Sequence, residues 1–323
     1  MRVLIVSNMY PDRNPDFKYA GIFVKEQFEE MNKNKSVFCD LFVINGFKSK
    51  FHYLFGSLRV LFKIIFGNYD VVHAHYGLSA LFTLLVPFKK WRNVVLTLHG
   101  GDILDKQGKN IQVFLTKRIL KKVGVVITLN EEMNSVVNSY RSDYQIVPCG
   151  VDTDFFVPEE KDLRKHKTQI VFPGNPDRSV KNFSLFKNVI ESYIKKYEPV
   201  EIVILDGLTR SGVKDAFNCS SALLMTSISE GSPQAVKEAL SCDLPVVSSN
   251  VGDVKSILGS TPSTAIFEVC DDPEVIADKV YQSLNEYSGS LGKRRERVLN
   301  LGLSNKEVVG KLIKMYEGMT NHD

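Results

Sequence analysis

Two Rossmann-like α/β domains in succession are predicted by three observations. Short β-branched runs alternate with longer amphipathic ones, the pattern of parallel strands covered by helices. The alternation stops after Pro148, crosses a stretch of turn residues, prolines and charges, and then restarts. A length of 323 residues is more than one hydrophobic core usually serves, so two cores are expected.

In the first half, strands are expected at 2–7 (RVLIVS), 37–44, 71–75 (VVHAH), 93–98, 123–129 and 144–148, with helices near 21–34, 51–66, 77–87, 111–121 and 131–140. CGVDTDFFVPEEKDLRKHK, with two prolines and a charge run, reads as a linker over 149–167. The second half repeats the pattern with strands at 169–173, 200–205, 222–226, 245–249 and 264–269, and helices at 182–197, 232–242 and 273–287. A last helix follows a Ser304 or Asn305 cap, with Val308, Leu312, Ile313 and Tyr316 at helical spacing. The expected domains are 1–148 and 168–303, with the helix of about 304–323 packing back on the first. Ligands of such sheets bind beyond the carboxyl ends of the strands, so functional residues are sought in the loops that follow them.

Composition narrows the classes. A net charge of +4 argues against a nucleic-acid binder held by phosphate neutralisation. The five scattered cysteines, with no CxxC pair, suggest neither a zinc ribbon nor a disulfide framework and read as reduced thiols in a cytoplasmic protein. The apolar run at the N-terminus is too short for a signal peptide, and no stretch approaches the ~18 apolar residues of a spanning helix. GxGxxG and GxxxxGK[ST] are both absent, against a dinucleotide oxidoreductase and a P-loop nucleotidase.

The most informative stretch is SISEGSPQAVKEALSCDLPVVSSNVGDV, residues 227–254. A strand delivers Glu230 into a turn, Ser232 is the expected cap, Pro233 suits the first helical position, and the helix N-terminus forms an anion site. Glu230 and Glu238 stand about 10 Å apart along the helix axis, suited to gripping two parts of one ligand. The plain alternative is a dipole-complementing Glu230 and a solvated Glu238. In VFPGNPDRSVKNF, residues 171–183, Gly174 permits a sharp turn after a strand, and Arg178 and Lys181 put two cations where a diphosphate needs them.

EGSPQAVKEAL followed by LPVV and VGDV resembles the donor-site signature of glycosyltransferase family 4, retaining enzymes of the GT-B fold. The resemblance implies two Rossmann-like domains facing across a central cleft, the first for acceptor and the second for a nucleotide-sugar donor. It implies Glu230 on the donor sugar, Glu238 on the ribose, Gly231 and Ser232 offering backbone N–H groups, and Arg178 and Lys181 on the leaving diphosphate. Asn175 stands where the family more often has Arg, and the stretch between Lys181 and Glu230 is short for the family. In the first half, Ala20-Gly21 is similar to the family's glycine loop near the donor diphosphate, and LTLHGGD (96–102) matches its TxHGxD loop. His99 is therefore the leading active-site residue, and Asp102 an acceptor-side or orienting partner. His73 reads as structural, and His75 as open. PCGVD (148–152) resembles a PNGVD hinge in which Cys149 replaces Asn, so a catalytic thiol is not expected.

The resemblance implies transfer of a sugar from a UDP-, GDP- or ADP-sugar to an acceptor hydroxyl, with no metal or other cofactor, in bacterial cell-envelope or capsular polysaccharide synthesis. A catalytically silent nucleotide-sugar-binding or assembly subunit is the alternative. Saccharide or lipid-linked saccharide acceptors are the implied partners. The basic aromatic stretch 46–67, with Lys48, Lys50, Arg59 and Lys63, could lie on the inner face of an anionic plasma membrane or pack against its own sheet.

Overall fold

The computed structural model describes residues 1–11, 20–46, 49–86, 89–104, 110–159 and 167–320, and Lys48, much of the glycine loop before Ala20, and linker residues 160–166 lie outside them. The chain divides into two compact units, 1–150 with 305–323, and 151–304. Each is an α/β unit on one parallel sheet.

In the first unit the elements run β1 (Arg2–Ser7), α1 (Ile22–Lys33), β2 (Phe38–Val43), α2 (Phe51–Gly67), β3 (Val71–His75), a 3-10 helix (Gly77–Leu84), β4 (Trp91–Thr97), α3 (Asn110–Leu120), β5 (Val123–Thr128), α4 (Glu131–Val137) and β6 (Tyr144–Ile146). The sheet order is β2-β1-β3-β4-β5-β6. Alternate residues of β1 face different cores, as the period of a strand requires. Leu4 and Val6 pack with Val60 of α2, Phe82 of the 3-10 helix, Ile119 of α3 and Val137 of α4, while Val3 and Ile5 pack with Val24 and Met31 of α1. Burial on both faces explains why β3 reads as an unbroken run.

The second unit runs β7 (Gln169–Phe172), a 3-10 turn (Ser179–Lys181), α5 (Phe183–Lys196), β8 (Glu201–Ile204), α6 (Arg210–Cys219), β9 (Ala222–Met225), α7 (Gln234–Ser241), β10 (Val246–Ser249), α8 (Val254–Leu258), β11 (Thr264–Phe267), α9 (Pro273–Asn285) and α10 (Lys293–Asn300). Its sheet order is β11-β10-β9-β7-β8. The final helix, α11 (Asn305–Thr320), belongs to the first unit, where Val308, Leu312 and Tyr316 join the core of Val3 and Ile5.

Two differences from the sequence expectation stand out. The helix expected at 77–87 is a 3-10 helix ending at Leu84, and α6, α8 and α10 were not anticipated. The short stretch between Lys181 and Glu230 holds α5, β8, α6 and β9 in unbroken alternation.

Candidate functional site

In the second unit, the residues picked out of EGSPQAVKEAL and PGNPDRSVK converge at the carboxyl ends of β7 and β9. The loop after β7 is fixed by Thr226, whose hydroxyl donates to the carbonyls of Lys181 and Asn182 at 3.1 Å each, and by the Ile228 N–H, which donates to the Val180 carbonyl. This places the Lys181 ammonium 2.7 Å from a Glu230 oxygen, which also accepts from the Ser227 hydroxyl at 2.9 Å. Burial alone would push the Glu230 carboxyl up. The Lys181 charge and hydrogen bond, the Ser227 hydroxyl and the Arg178 charge outweigh it and hold the group below the usual carboxylate range. Gly174 sits at φ +130° over the Lys181 stem, and Arg178 is exposed at the rim.

The entry to α7 differs from expectation. Pro233, not Ser232, is the N-cap residue, and the helix starts at Gln234. The reason is that the Ser232 hydroxyl is engaged elsewhere: it donates to the Asp253 carboxylate at 2.5 Å and accepts from the Lys237 ammonium at 2.9 Å. Lys237 is fully buried, and Asp253 is buried with one oxygen lacking a hydrogen-bond partner among the described residues. Burial pushes the Asp253 carboxyl up, against the opposing pull of Lys237 and Ser232. Gly252, at φ +60°, brings this loop under Gly231; a Cβ there would lie 2.6 Å from the Gly231 carbonyl oxygen. The first-turn N–H groups of α7 point out of the same end, as at any helix start.

Glu238 is not solvated. Its side chain is 5% exposed and pairs at 2.8 Å with Arg210 of α6, whose guanidinium also lies over the Phe156 ring.

The first unit gathers imidazole rings. His73, His75 and His99 stack in series, with centroids 4.3 and 5.4 Å apart. His73 contacts the Tyr316 hydroxyl of α11 through Nδ1 and the Thr97 hydroxyl through Nε2. His75 Nδ1 lies 3.2 Å from His99 Nε2, and its Nε2 lies 3.3 Å from the Gln27 amide nitrogen. With that amide donating, the neutral His75 donates to His99, and the His99 proton sits on Nδ1, 4.0 Å from the Cys149 sulfur. Burial pushes His75 down to about 3, and burial with the neighbouring imidazoles pushes His73 well below its usual value. Phe23 and Tyr76 close on the His99 ring, and Tyr76 holds a left-handed φ of 68°, a strained placement of the kind found at functional sites.

Asp102 is fully buried. Its two oxygens accept the N–H groups of His99 and Gly77, each at 3.0 Å, so it orients the loop and presents no face to an acceptor. Burial pushes its carboxyl up to about 6, with those N–H groups pulling the other way. Gly21 is buried against β1's exit loop, where a Cβ would lie 2.4 Å from the Met9 carbonyl oxygen. Gln27, Tyr76, Arg210, Lys237 and Asp253 were not singled out from sequence. VGDV contained Asp253 and Tyr76 directly follows VVHAH, but Gln27 and Arg210 stand in ordinary helical surroundings with nothing local to mark them.

Two parallel-sheet Rossmann-like units with these polar loops define the GT-B class of architecture. The chain belongs to the family 4 glycosyltransferases: the model described as Glycosyltransferase Family 4 matches residues 22–155, and that described as Glycosyl transferases group 1 matches 159–300. It is 25% identical over 217 residues to the putative teichuronic acid biosynthesis glycosyltransferase TuaC of Bacillus subtilis, a match covering 59% of this chain and 55% of that protein. The chain thus spans about half the length of that curated relative. Its fold is similar to sucrose-phosphate synthase from Thermosynechococcus elongatus, with a TM-score of 0.79 at 14% identity and 100% of both chains covered. It is also similar to HepE of Anabaena solved in complex with UDP, with a TM-score of 0.74 at 10% identity, covering 98% of this chain and 100% of that one.

Proposed function

We propose that the chain transfers a sugar from a nucleoside-diphosphate sugar to an acceptor hydroxyl with retention of configuration, in bacterial envelope polysaccharide assembly. The observation that carries this reading is the Lys181–Glu230 pair at the carboxyl ends of β7 and β9, beside the start of α7. Lys181, Arg178 and the helix N-terminus supply positive charge for a departing diphosphate, and Glu230, held ionised, accepts from sugar hydroxyls and stabilises positive charge developing at the anomeric carbon. In the reaction, the bond from the anomeric carbon to the phosphate oxygen breaks. The acceptor oxygen bonds that carbon from the same face, and its proton passes to the leaving phosphate. The cations named are sufficient for a reaction without a metal, which is part of the proposal.

His99 with its ring cluster forms the acceptor side of this reading, and the segment around Gly21 serves the donor diphosphate. Glu238, with Arg210, reads the ribose. UDP is the first nucleotide to test, because HepE was solved with it, and the likeness to TuaC supports an envelope saccharide acceptor. The cytoplasm, at the inner face of the plasma membrane, is the proposed location. A thermal-shift series with UDP, GDP, ADP and their sugars, followed by release of the matching diphosphate, tests the reading. Selective stabilisation and turnover support it. Stabilisation without turnover toward any saccharide acceptor favours the silent binding subunit, and silence with every nucleotide removes both.

A further inference from the structure

Helix α2 is apolar on both sides. Its sheet side buries Gly56, Ser57 and Val60 with Tyr53, Leu61 and Ile64 partly buried beside them, and a Cβ on Gly56 would lie only 3.0 Å from Ile44. On the opposite side Phe51, Leu54, Phe55, Leu58, Phe62 and Phe66, at steps of 3, 4, 7, 11 and 15 from the first, form one stripe in which each side chain is 45% to 73% exposed. A contiguous exposed apolar stripe of this length marks an interaction surface.

The neighbouring chemistry says what fits it. The stretch 48–122 contains thirteen Lys and Arg against three acids, Asp70, Asp102 and Asp105, and leaves 28 bases against 34 acids for the rest of the chain, from totals of 41 and 37. Arg59 and Lys63 are exposed on α2, which carries no acid. Helix α3 packs on the same face of the sheet and extends the surface with exposed Ile111 and Phe114, the latter under the Arg118 guanidinium. Lys90, Arg92, Lys121 and Lys122 line a cavity of about 400 Å³ together with the paired Arg141 and Asp143. A second copy of this face would bring like charges together, and an uncharged protein partner would leave the cations unmatched.

We infer that this face of the first unit docks on an anionic lipid bilayer, with α2 lying in the interface plane, its aromatic stripe at the level of the acyl chains and the surrounding cations on the headgroup phosphates. No helix among the described residues is long and apolar enough to cross a membrane, so the contact is peripheral. The inference stands on the surface of one unit and does not depend on the transfer reaction.

Flotation of the full chain with vesicles of phosphatidylcholine alone, or mixed with phosphatidylglycerol, tests it. Binding to the mixed vesicles, weakened by salt, is expected. The triple variant Phe55→Ser, Phe62→Ser, Phe66→Ser should bind at least about tenfold more weakly, and Arg59→Gln and Lys63→Gln about fivefold more weakly each. Circular dichroism melts at the wild-type temperature keep a folding defect from imitating the result. No binding to mixed vesicles, equal binding to neutral ones, or a triple variant that binds as wild type would each overturn the inference. So would a dimer in light scattering that the triple substitution dissolves while vesicle binding is unchanged.

Discussion

In the second unit the polar residues beyond the strand ends are paired ions: Lys181 with Glu230, Arg210 with Glu238, and Lys237 linked through Ser232 to Asp253. In the first unit the corresponding region holds imidazole rings, His73, His75 and His99, tied to Tyr316, Thr97 and Gln27, with the first two held neutral by burial. The difference is one of electrostatic preparation. Paired ions near a surface keep a fixed field that a charged ligand can exploit, at the cost of desolvating each ion. Buried neutral imidazoles carry no such field and act through shape and hydrogen bonding, which suits an uncharged saccharide. The two regions should therefore fail differently when mutated.

The largest effect is expected where a charge is removed from the donor-side field. Glu230→Gln keeps the shape and the Ser227 contact but loses the charge opposite Lys181, and transfer should fall about 10²- to 10³-fold with little change in the melting curve. Initial rates with saturating donor measure this. Wild-type turnover in that variant would remove Glu230 from the mechanism.

Next is the Arg210–Glu238 pair. Arg210→Met leaves a carboxylate that is 5% exposed without its cation, at a cost of about 2 kcal/mol in urea unfolding. Adding Glu238→Gln should recover most of that stability without restoring donor affinity. Full recovery of both would make the pair structural and take ribose reading away from it.

That pair also marks the limit of what the sequence discloses. The alternation of strands and helices, the loops after β4, β7 and β9, and the residues of EGSPQAVKEAL were legible because local spacing carries them. Helix α10 was not, because its buried residues are Val298 and Arg294, and a fully buried Arg bonded to Asp243 gives no apolar period. Helix α6 buries only Phe217 and Asn218, so Arg210 had no visible element to stand on. Ser232 looked like a cap because Ser before Pro is a cap signal; Asp253 and Lys237, 21 and 5 residues away, claim its hydroxyl instead. The three-ring stack depends on β3 and β4 being neighbours, which the sheet order decides and no short window contains.

A smaller effect tests the neutral side through pH. Between pH 6 and 4 the unfolded chain protonates His75, whereas the folded chain keeps it neutral, since its value is about 3, and burial displaces His73 in the same direction. Asp102 acts the other way, taking a proton in the folded state from about 6 downward while the unfolded group waits until about 4. The two histidines should lower stability on acidification through that window, and Asp102 should offset part of the loss. Replacing His75 by Gln removes one of the two histidine protons and should flatten the slope, as read from urea midpoints at pH 4, 5 and 6. An unchanged slope would mean that His75 is not held neutral by burial.

The smallest effect is expected at Cys149, the position that most invites a wrong assignment. Its sulfur is 4.0 Å from His99 Nδ1, which on paper resembles a thiol–imidazole dyad. A nucleophilic thiolate needs a positive or strongly polar setting, and this one lies buried in the apolar core, with the His73 and His75 rings behind His99 held neutral by burial. The contact is better explained by packing at the end of β6, with the Nδ1–H of His99 resting on a soft, weak acceptor. Cys149→Ala should therefore leave transfer within about twofold and cost about 1 kcal/mol or less of stability, since only one sulfur atom is lost from the core. Iodoacetamide should likewise leave the rate unchanged over the time in which exposed Cys219 and Cys270 are alkylated. A hundredfold fall in Cys149→Ala would carry the reactive chemistry into the neutral cluster and reverse the contrast between the two units.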